Sequence, residues 1–268
     1  MDRERHRVAG WVLRRSLGQP GEHPTRVVVN VIAESRAFLR AALVTPVDRD
    51  HTETDAAFRR RRVVAAVTLV VGAVILAVAL RIEPGDPRFY GATFALAGVW
   101  AAGAFLSGPL HLGRAHTRGG SGSSRAVVQS LVLGVLLLLL FMAGAVVVAR
   151  IPVLREPVQE LLDHARVGSL PLVALITVVN GIAEELYFRG ALYAAVGRRH
   201  AVAVTTVVYA LVTAAAGIPL LVLAAALVGL VVAFQRRVTG GILGPIVTHL
   251  TWSLGMLFLL PPVLDRLS

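Results

Sequence analysis

Glu184 and Glu185 stand side by side in Gly181-Ile182-Ala183-Glu184-Glu185-Leu186-Tyr187-Phe188-Arg189-Gly190, within a long apolar run. Carrying a carboxylate into hydrocarbon costs at least about 2.5 kcal/mol, so both should face a polar cavity or polar partners rather than lipid. Glu185 and Arg189 form an i,i+4 pair in the favourable acid-first order, which neutralises Glu185 and holds it charged. Glu184 points about 100 degrees away around the helix. It has no assigned structural partner, and Asn180, one turn earlier, is its candidate hydrogen-bond neighbour. Such a pair suits deprotonation of a water in a half-buried place: one carboxylate acts as the base, and the other, pinned by arginine, sets geometry and field. The plainer reading is a Glu–Arg pair that only anchors a helix at the membrane interface.

A second polar group falls at a matching depth. His249 lies in Gly244-Pro245-Ile246-Val247-Thr248-His249-Leu250-Thr251-Trp252-Ser253, shortly after Arg236-Arg237. A neutral imidazole there can bind a metal, orient water or stabilise an oxyanion. Ser253 follows one turn later on the same face, placed to hydrogen-bond and orient the ring.

These groups must be positioned by membrane helices. The chain has 268 residues, is 56% hydrophobic and only 16% charged, and has a mean hydropathy of +0.71. That is far more apolar than a soluble domain. Its net charge of +11 is carried by arginine without a single lysine, and the arginines fall between apolar runs and in the N-terminal tail, where membrane topology accounts for them without nucleic acid. With no cysteine there is no disulfide, thiolate ligand or cysteine nucleophile. No cleavable signal peptide is read at the start, so the first span is expected to serve as the insertion signal.

Spans are expected near 63–80, 89–108, 126–149, 170–189, 201–216, 219–234 and 242–260, giving an all-α, polytopic bundle of about seven spans. If they alternate, Arg59 to Arg62, then Arg114, Arg118 and Arg125, then Arg198 and Arg199, and finally Arg236 and Arg237 share one side. That side is expected to be the cytoplasm, with the N-terminus inside and Ser268 outside. Residues 1–62 read as an arginine-rich tail in which Thr25 to Val44 has the spacing of an amphipathic surface helix, with Trp11 suited to headgroup depth. The expected organisation continues with a two-span unit over 63–118, a Gly/Ser linker over 119–125 and a five-span unit over 126–268.

Glu-Glu-x-x-x-Arg on one span, an aromatic-x-x-x-His span and a Pro-Ile-x-x-His-x-x-x-Asn span together characterise a known family. This chain resembles the CPBP intramembrane proteases, which include type 2 CAAX prenyl proteases and bacterial Abi proteins related to lysostaphin resistance protein A. The likeness rests on Glu184 to Gly190 and on Pro245 to His249, and it covers roughly Ala126 to Leu264. It implies Glu184 as the base that activates the attacking water, Glu185 and Arg189 as its support, and His249 as a metal ligand or oxyanion stabiliser. Two positions depart from the pattern: Thr213 stands where the family has its first histidine, and Ser253 where it has asparagine.

The resemblance also implies a divalent metal such as zinc, with Glu184 and His249 as candidate ligands. Thr213 leaves that set below the three protein ligands of a catalytic zinc. Of the other histidines, only His111 is a candidate to complete it. The expected function is therefore an intramembrane endopeptidase acting on a membrane protein or lipidated peptide, in a cytoplasm-facing cavity between the fourth, fifth and seventh spans of a bacterial plasma membrane protein. The competing expectation is a catalytically impaired relative that serves as a membrane scaffold or regulator. A transporter in which the acidic pair handles protons or cations is a third reading.

Overall fold

The apolar runs become helices whose ends are set by short-range chemistry. The computed structural model describes residues 24–49, 51–83, 86–117, 122–167 and 169–267. Trp11 and residues 119–121 of the expected linker lie outside the described residues. The chain divides into two units, Met1–Leu39 and Arg40–Ser268. In the first, α1 (Pro24–Leu39) is helical as its periodicity predicts, with Val31, Ile32 and Leu39 exposed.

The second unit opens with a π-helical turn, Arg40–Val44, followed by α2 (Asp55–Ala79). Thr54 caps α2 by accepting from the Ala57 N–H at 3.3 Å, and Asp55 in the first turn complements the helix dipole. The helix starts eight residues before the expected span at Val63, so Arg59 to Arg62 belong to its opening turns. Asp86 caps α3 (Pro87–Ser107) with Pro87 just behind it. Val63, Val67, Val70, Val74 and Val78 make one exposed stripe along α2, the face suited to lipid. Its opposite face holds Gly72 against the Trp100 ring of α3, where an added Cβ would come within 2.2 Å of an indole carbon. Gly72→Leu is accordingly expected to destabilise the fold by about 1–3 kcal/mol through overpacking. Thermal unfolding in detergent checks this, and an unchanged midpoint would mean that the α2–α3 contact has no part in stability.

After α3, β1 (Ala115–His116) pairs antiparallel with β2 (Ser123–Ser124). The rest of the bundle is α4 (Val127–Val148), α5 (Pro152–Val167), α6 (Leu170–Glu184), a π-helical stretch Glu185–Leu192, α7 (Tyr193–Val196), α8 (Ala201–Thr213), α9 (Pro219–Thr239) and α10 (Leu243–Leu267). Among the described residues, six helices are long and apolar enough to cross a bilayer: α2, α3, α4, the continuous stretch Leu170–Val196, α9 and α10. The chain is an integral membrane protein built as a helical bundle. The remaining apolar run, Ala201–Ala216, is helical but shorter. Helix α5 occupies what the sequence reads as a loop. Its Val158 and Leu162 pack with Ala145, Ala149, Leu260 and Leu264, so an amphipathic pattern is buried against the ends of α4 and α10.

Two seams hold the frame of the site. One is the core of α2, α3 and the α6 stretch, where Trp100 stacks on Tyr187 with ring centroids 4.5 Å apart and the Tyr187 hydroxyl donates to the Ala65 carbonyl at 2.6 Å. The other joins α4, α9 and α10. Gln235 donates to the Ser130 hydroxyl at 2.8 Å, and Thr248 lies within 3.0 Å of both the Ser130 carbonyl and the Gln235 side-chain oxygen. This buried polar knot keeps its members partnered and sets the rotation and depth of α10. The segment after α3 is stitched to the α9–α10 turn by Ile242 N–H to His111 carbonyl at 2.9 Å and Leu243 N–H to Leu112 carbonyl at 3.1 Å. Gly113 (φ 81°) and Gly241 touch backbone to backbone there, leaving no room for a side chain on either.

Candidate active site

Each polar side chain at the centre of the bundle is placed by one of three helical segments. Glu184 ends α6, and Glu185 begins the π-helical stretch. A π-helical insertion widens the turn and re-aims the side chains that follow, and such insertions recur at functional sites. Here seven of its eight residues are buried, all but Leu186.

Glu185 and Arg189 pair at 3.1 Å, both fully buried, as their i,i+4 spacing predicts. The Arg189 guanidinium also donates to the Gly229 carbonyl of α9 at 3.2 Å and lies over the Tyr209 ring, 4.7 Å from its centroid. Gly229 makes room for this: an added Cβ would stand 3.2 Å from both Arg189 and Tyr209. The second partner of Glu185 is His249, whose Nδ1 is 2.8 Å from Glu185 Oε1. With Glu185 held as a carboxylate by Arg189, Nδ1 must carry the proton and donate, which leaves Nε2 as the ring's chemical end. His249 thus belongs to the chain Arg189–Glu185–His249, anchored through the pinned acid and not directly on Glu184.

Glu184 is half-buried and accepts from the Tyr209 hydroxyl of α8 at 2.7 Å. His249, Glu185 and Arg189 are all within electrostatic reach of it. Tyr209 occupies the aromatic position of the middle motif, but the sequence assigned it no role. The signal was its place one turn before Thr213, though nothing in the spacing said which acid its hydroxyl would meet. Tyr209→Phe removes one charge-assisted hydrogen bond from Glu184, and we expect a fall of about tenfold in turnover with substrate affinity kept. Steady-state kinetics that separate kcat from KM check this, and an unchanged kcat would reduce Tyr209 to a packing residue.

The three supporting positions are less engaged. The Asn180 amide donates to the Ile176 carbonyl at 3.1 Å and not to Glu184, and its Oδ1 is buried without a partner. Thr213 donates to the Tyr209 carbonyl at 2.9 Å, the local back-bond open to any helical threonine. Ser253 does not orient His249: its hydroxyl is 3.5 Å from the Leu250 carbonyl, and it lines an apolar cavity with Trp252 and Met256.

The donor set does not fit a catalytic metal. Among the described residues, no group of three or more His, Asp or Glu side chains converges to hold an ion. Glu185 is committed to Arg189 and to His249 Nδ1, which leaves only Glu184 and the Nε2 of His249 as candidate ligands. His111 stacks on His51 with centroids 3.7 Å apart and lines a different cavity. Catalytic zinc needs three protein ligands, and this site does not offer them.

Among known proteins, residues 166–255 match the family described as Rce1-like, type II CAAX prenyl endopeptidase. No curated protein and no solved structure matches the chain. The matched stretch contains Glu184, Glu185, Arg189, Tyr209, Thr213, Arg236 and His249, and it agrees with the likeness to CPBP proteases carried by the motifs. At the level of the family it supports a membrane peptidase resembling the CAAX proteases.

Proposed function

We propose, from the Rce1-like character of residues 166–255, that this protein is an intramembrane endopeptidase that cleaves a peptide bond of a membrane-associated substrate with a glutamate-activated water. The observation that carries this reading is the convergence of Glu184, Tyr209 and the Arg189–Glu185–His249 chain from three separate helical segments. A pair that only anchored a helix would need neither the tyrosine nor the histidine.

In this mechanism Glu184 takes a proton from water as the water oxygen bonds to the scissile carbonyl carbon. Tyr209 occupies Oε2, which directs the water to the other carboxylate oxygen. The carbonyl electrons move onto its oxygen, and the developing negative charge is met by the Nε2 side of His249, which donates when the ring is protonated. Glu185 stabilises that cation through Nδ1, and Arg189 pairs with Glu185 from the other side. Collapse of the tetrahedral intermediate breaks the C–N bond, and Glu184 returns its proton to the leaving amine. Membrane burial keeps these charges in a medium of low dielectric, where each acts more strongly than in water. The arginine distribution supports a cytoplasmic N-terminus and a site reached from that side of the membrane.

Thr213 favours a second reading. The position where the family carries a histidine has a hydroxyl satisfied by its own helix, as expected for a non-catalytic scaffold that retains the fold. Comparing new protein N-termini in native cells and in cells carrying Glu184→Ala, at equal protein levels, separates the two. Peptides lost only in the mutant would establish proteolysis and name the substrate. An unchanged profile, with the phenotype retained by the mutant, would establish the scaffold.

A further inference from the structure

Arg236 is 6% exposed, yet among the described residues it pairs with no carboxylate. Its Nε donates to the Arg189 carbonyl at 2.7 Å, and its guanidinium lies 5.0 Å from the centroid of the Tyr193 ring. Neither contact neutralises it, and a buried cation without a counter-charge is costly. The side chain lines a cavity of about 270 Å³ whose wall also holds Arg49, Arg61 and Arg198. Neither Glu184 nor His249 borders this space.

Charge is unbalanced around the cavity. Arg61 is compensated by an ion pair with Glu53. Among the described residues Arg49 donates to the Val238 carbonyl, at 3.3 Å, and to no carboxylate, and Arg198, exposed at the rim, has no ion-pair partner. Among the described residues Asp55 is the one further acid on the wall, against three arginines. The electrostatics register this excess. Burial, with Arg198 and Arg237 nearby, pulls Arg49 below its ordinary value despite Tyr193. Burial, then Arg236 and Arg61, holds His111 below the usual imidazole range despite Glu53.

Position identifies the missing charge. The cavity is walled by the start of α2, the segment after α3, the end of the α6 stretch and the end of α9, at the end of the bundle that the arginine distribution assigns to the cytoplasm. Planar guanidiniums arranged around a half-open cavity match the oxygens of a phosphate through paired N–H donors. Basic pockets between membrane helices on the cytoplasmic side take phosphate-bearing headgroups. We propose that this cavity binds a phosphate group, with Arg236, Arg198 and Arg49 as its donors. Because Arg236 also holds the Arg189 carbonyl, an occupied cavity braces the segment that carries Glu185 and Arg189.

The test uses the purified full chain in detergent and follows its unfolding midpoint, a readout independent of proteolysis. The probes are phosphatidylglycerol, diacylglycerol of the same acyl chains, and inorganic phosphate. Phosphatidylglycerol is expected to raise the midpoint and diacylglycerol to leave it unchanged. Arg198→Gln, which removes no hydrogen bond or ion pair among the described residues, is expected to keep the basal midpoint and weaken apparent affinity by about tenfold, the worth of one charge-assisted hydrogen bond. A shift with the lipid alone identifies a headgroup as the source, whereas an equal shift with inorganic phosphate identifies a soluble phosphate. The proposal is overturned if neither probe shifts the midpoint, or if the shift persists undiminished in both Arg198→Gln and Arg49→Gln.

Discussion

Glu184→Gln is expected to abolish measurable peptide-bond cleavage while leaving the protein folded. The amide keeps the shape of the side chain, and its carbonyl can still accept from Tyr209, so the 2.7 Å contact that positions residue 184 survives. What disappears is proton affinity. A neutral amide cannot take the proton of an attacking water or return it to a leaving amine, and general acid–base catalysis of this kind contributes about 10²- to 10⁴-fold. Turnover should fall by at least that factor, with the unfolding midpoint held. Cleavage of the substrate identified by its new N-termini gives the rate, and circular dichroism of the same preparation gives the midpoint. Wild-type cleavage by Glu184→Gln would remove Glu184 as the base and sink the proposed mechanism.

The second large effect concerns the buried pair. Arg189→Met leaves Glu185 fully buried with only His249 for company, and breaking a buried ion pair from one side costs about 3–5 kcal/mol. The Gly229 carbonyl loses its side-chain donor as well, keeping only its bond within the helix. Activity should fall together with stability, which alone would say little about catalysis. The informative variant is the double replacement Glu185→Leu with Arg189→Met. Removing both charges relieves the uncompensated carboxylate, and apolar replacements of buried ion pairs are often neutral or stabilising. The double variant is therefore expected to recover most of the midpoint lost in Arg189→Met yet remain inactive, because His249 no longer has an anion on Nδ1. Recovery of activity along with stability would make the pair purely structural.

Legibility followed the range of the interactions involved. The Glu185–Arg189 contact could be read at once because i,i+4 neighbours meet on any helix. The span expected over 170–189 was equally plain in its apolar run and lies within the helical stretch Leu170–Val196, but the π-helical turn Glu185–Leu192 inside it was not plain, since no local residue demands a wider turn. Asn180 and Ser253 were given roles by spacing alone, and both hydroxyl and amide turned to their own helix instead. Such back-bonds are available to polar residues in every membrane helix, where no water competes for the carbonyl. Helix α5 was read as a loop because its charges, Arg155, Glu156 and Glu160 among them, mask a short apolar face that only the ends of α4 and α10 make useful.

By itself the sequence determined that the chain lives in a membrane, which long runs are apolar enough to cross it, and which few ionisable residues lie within those runs. These follow from hydrophobic free energy and helical periodicity, which act residue by residue along the chain. Tertiary structure alone decided the partners: that His249 binds Glu185 and not Glu184, that Tyr209 holds Glu184, and that Arg236 faces a second basic cavity beside the site. Those pairings depend on the rotation and depth of one helix against another. Contacts such as Gly72 against Trp100 and the Ser130–Gln235–Thr248 knot set both, and their members are scattered over nearly 180 residues of chain.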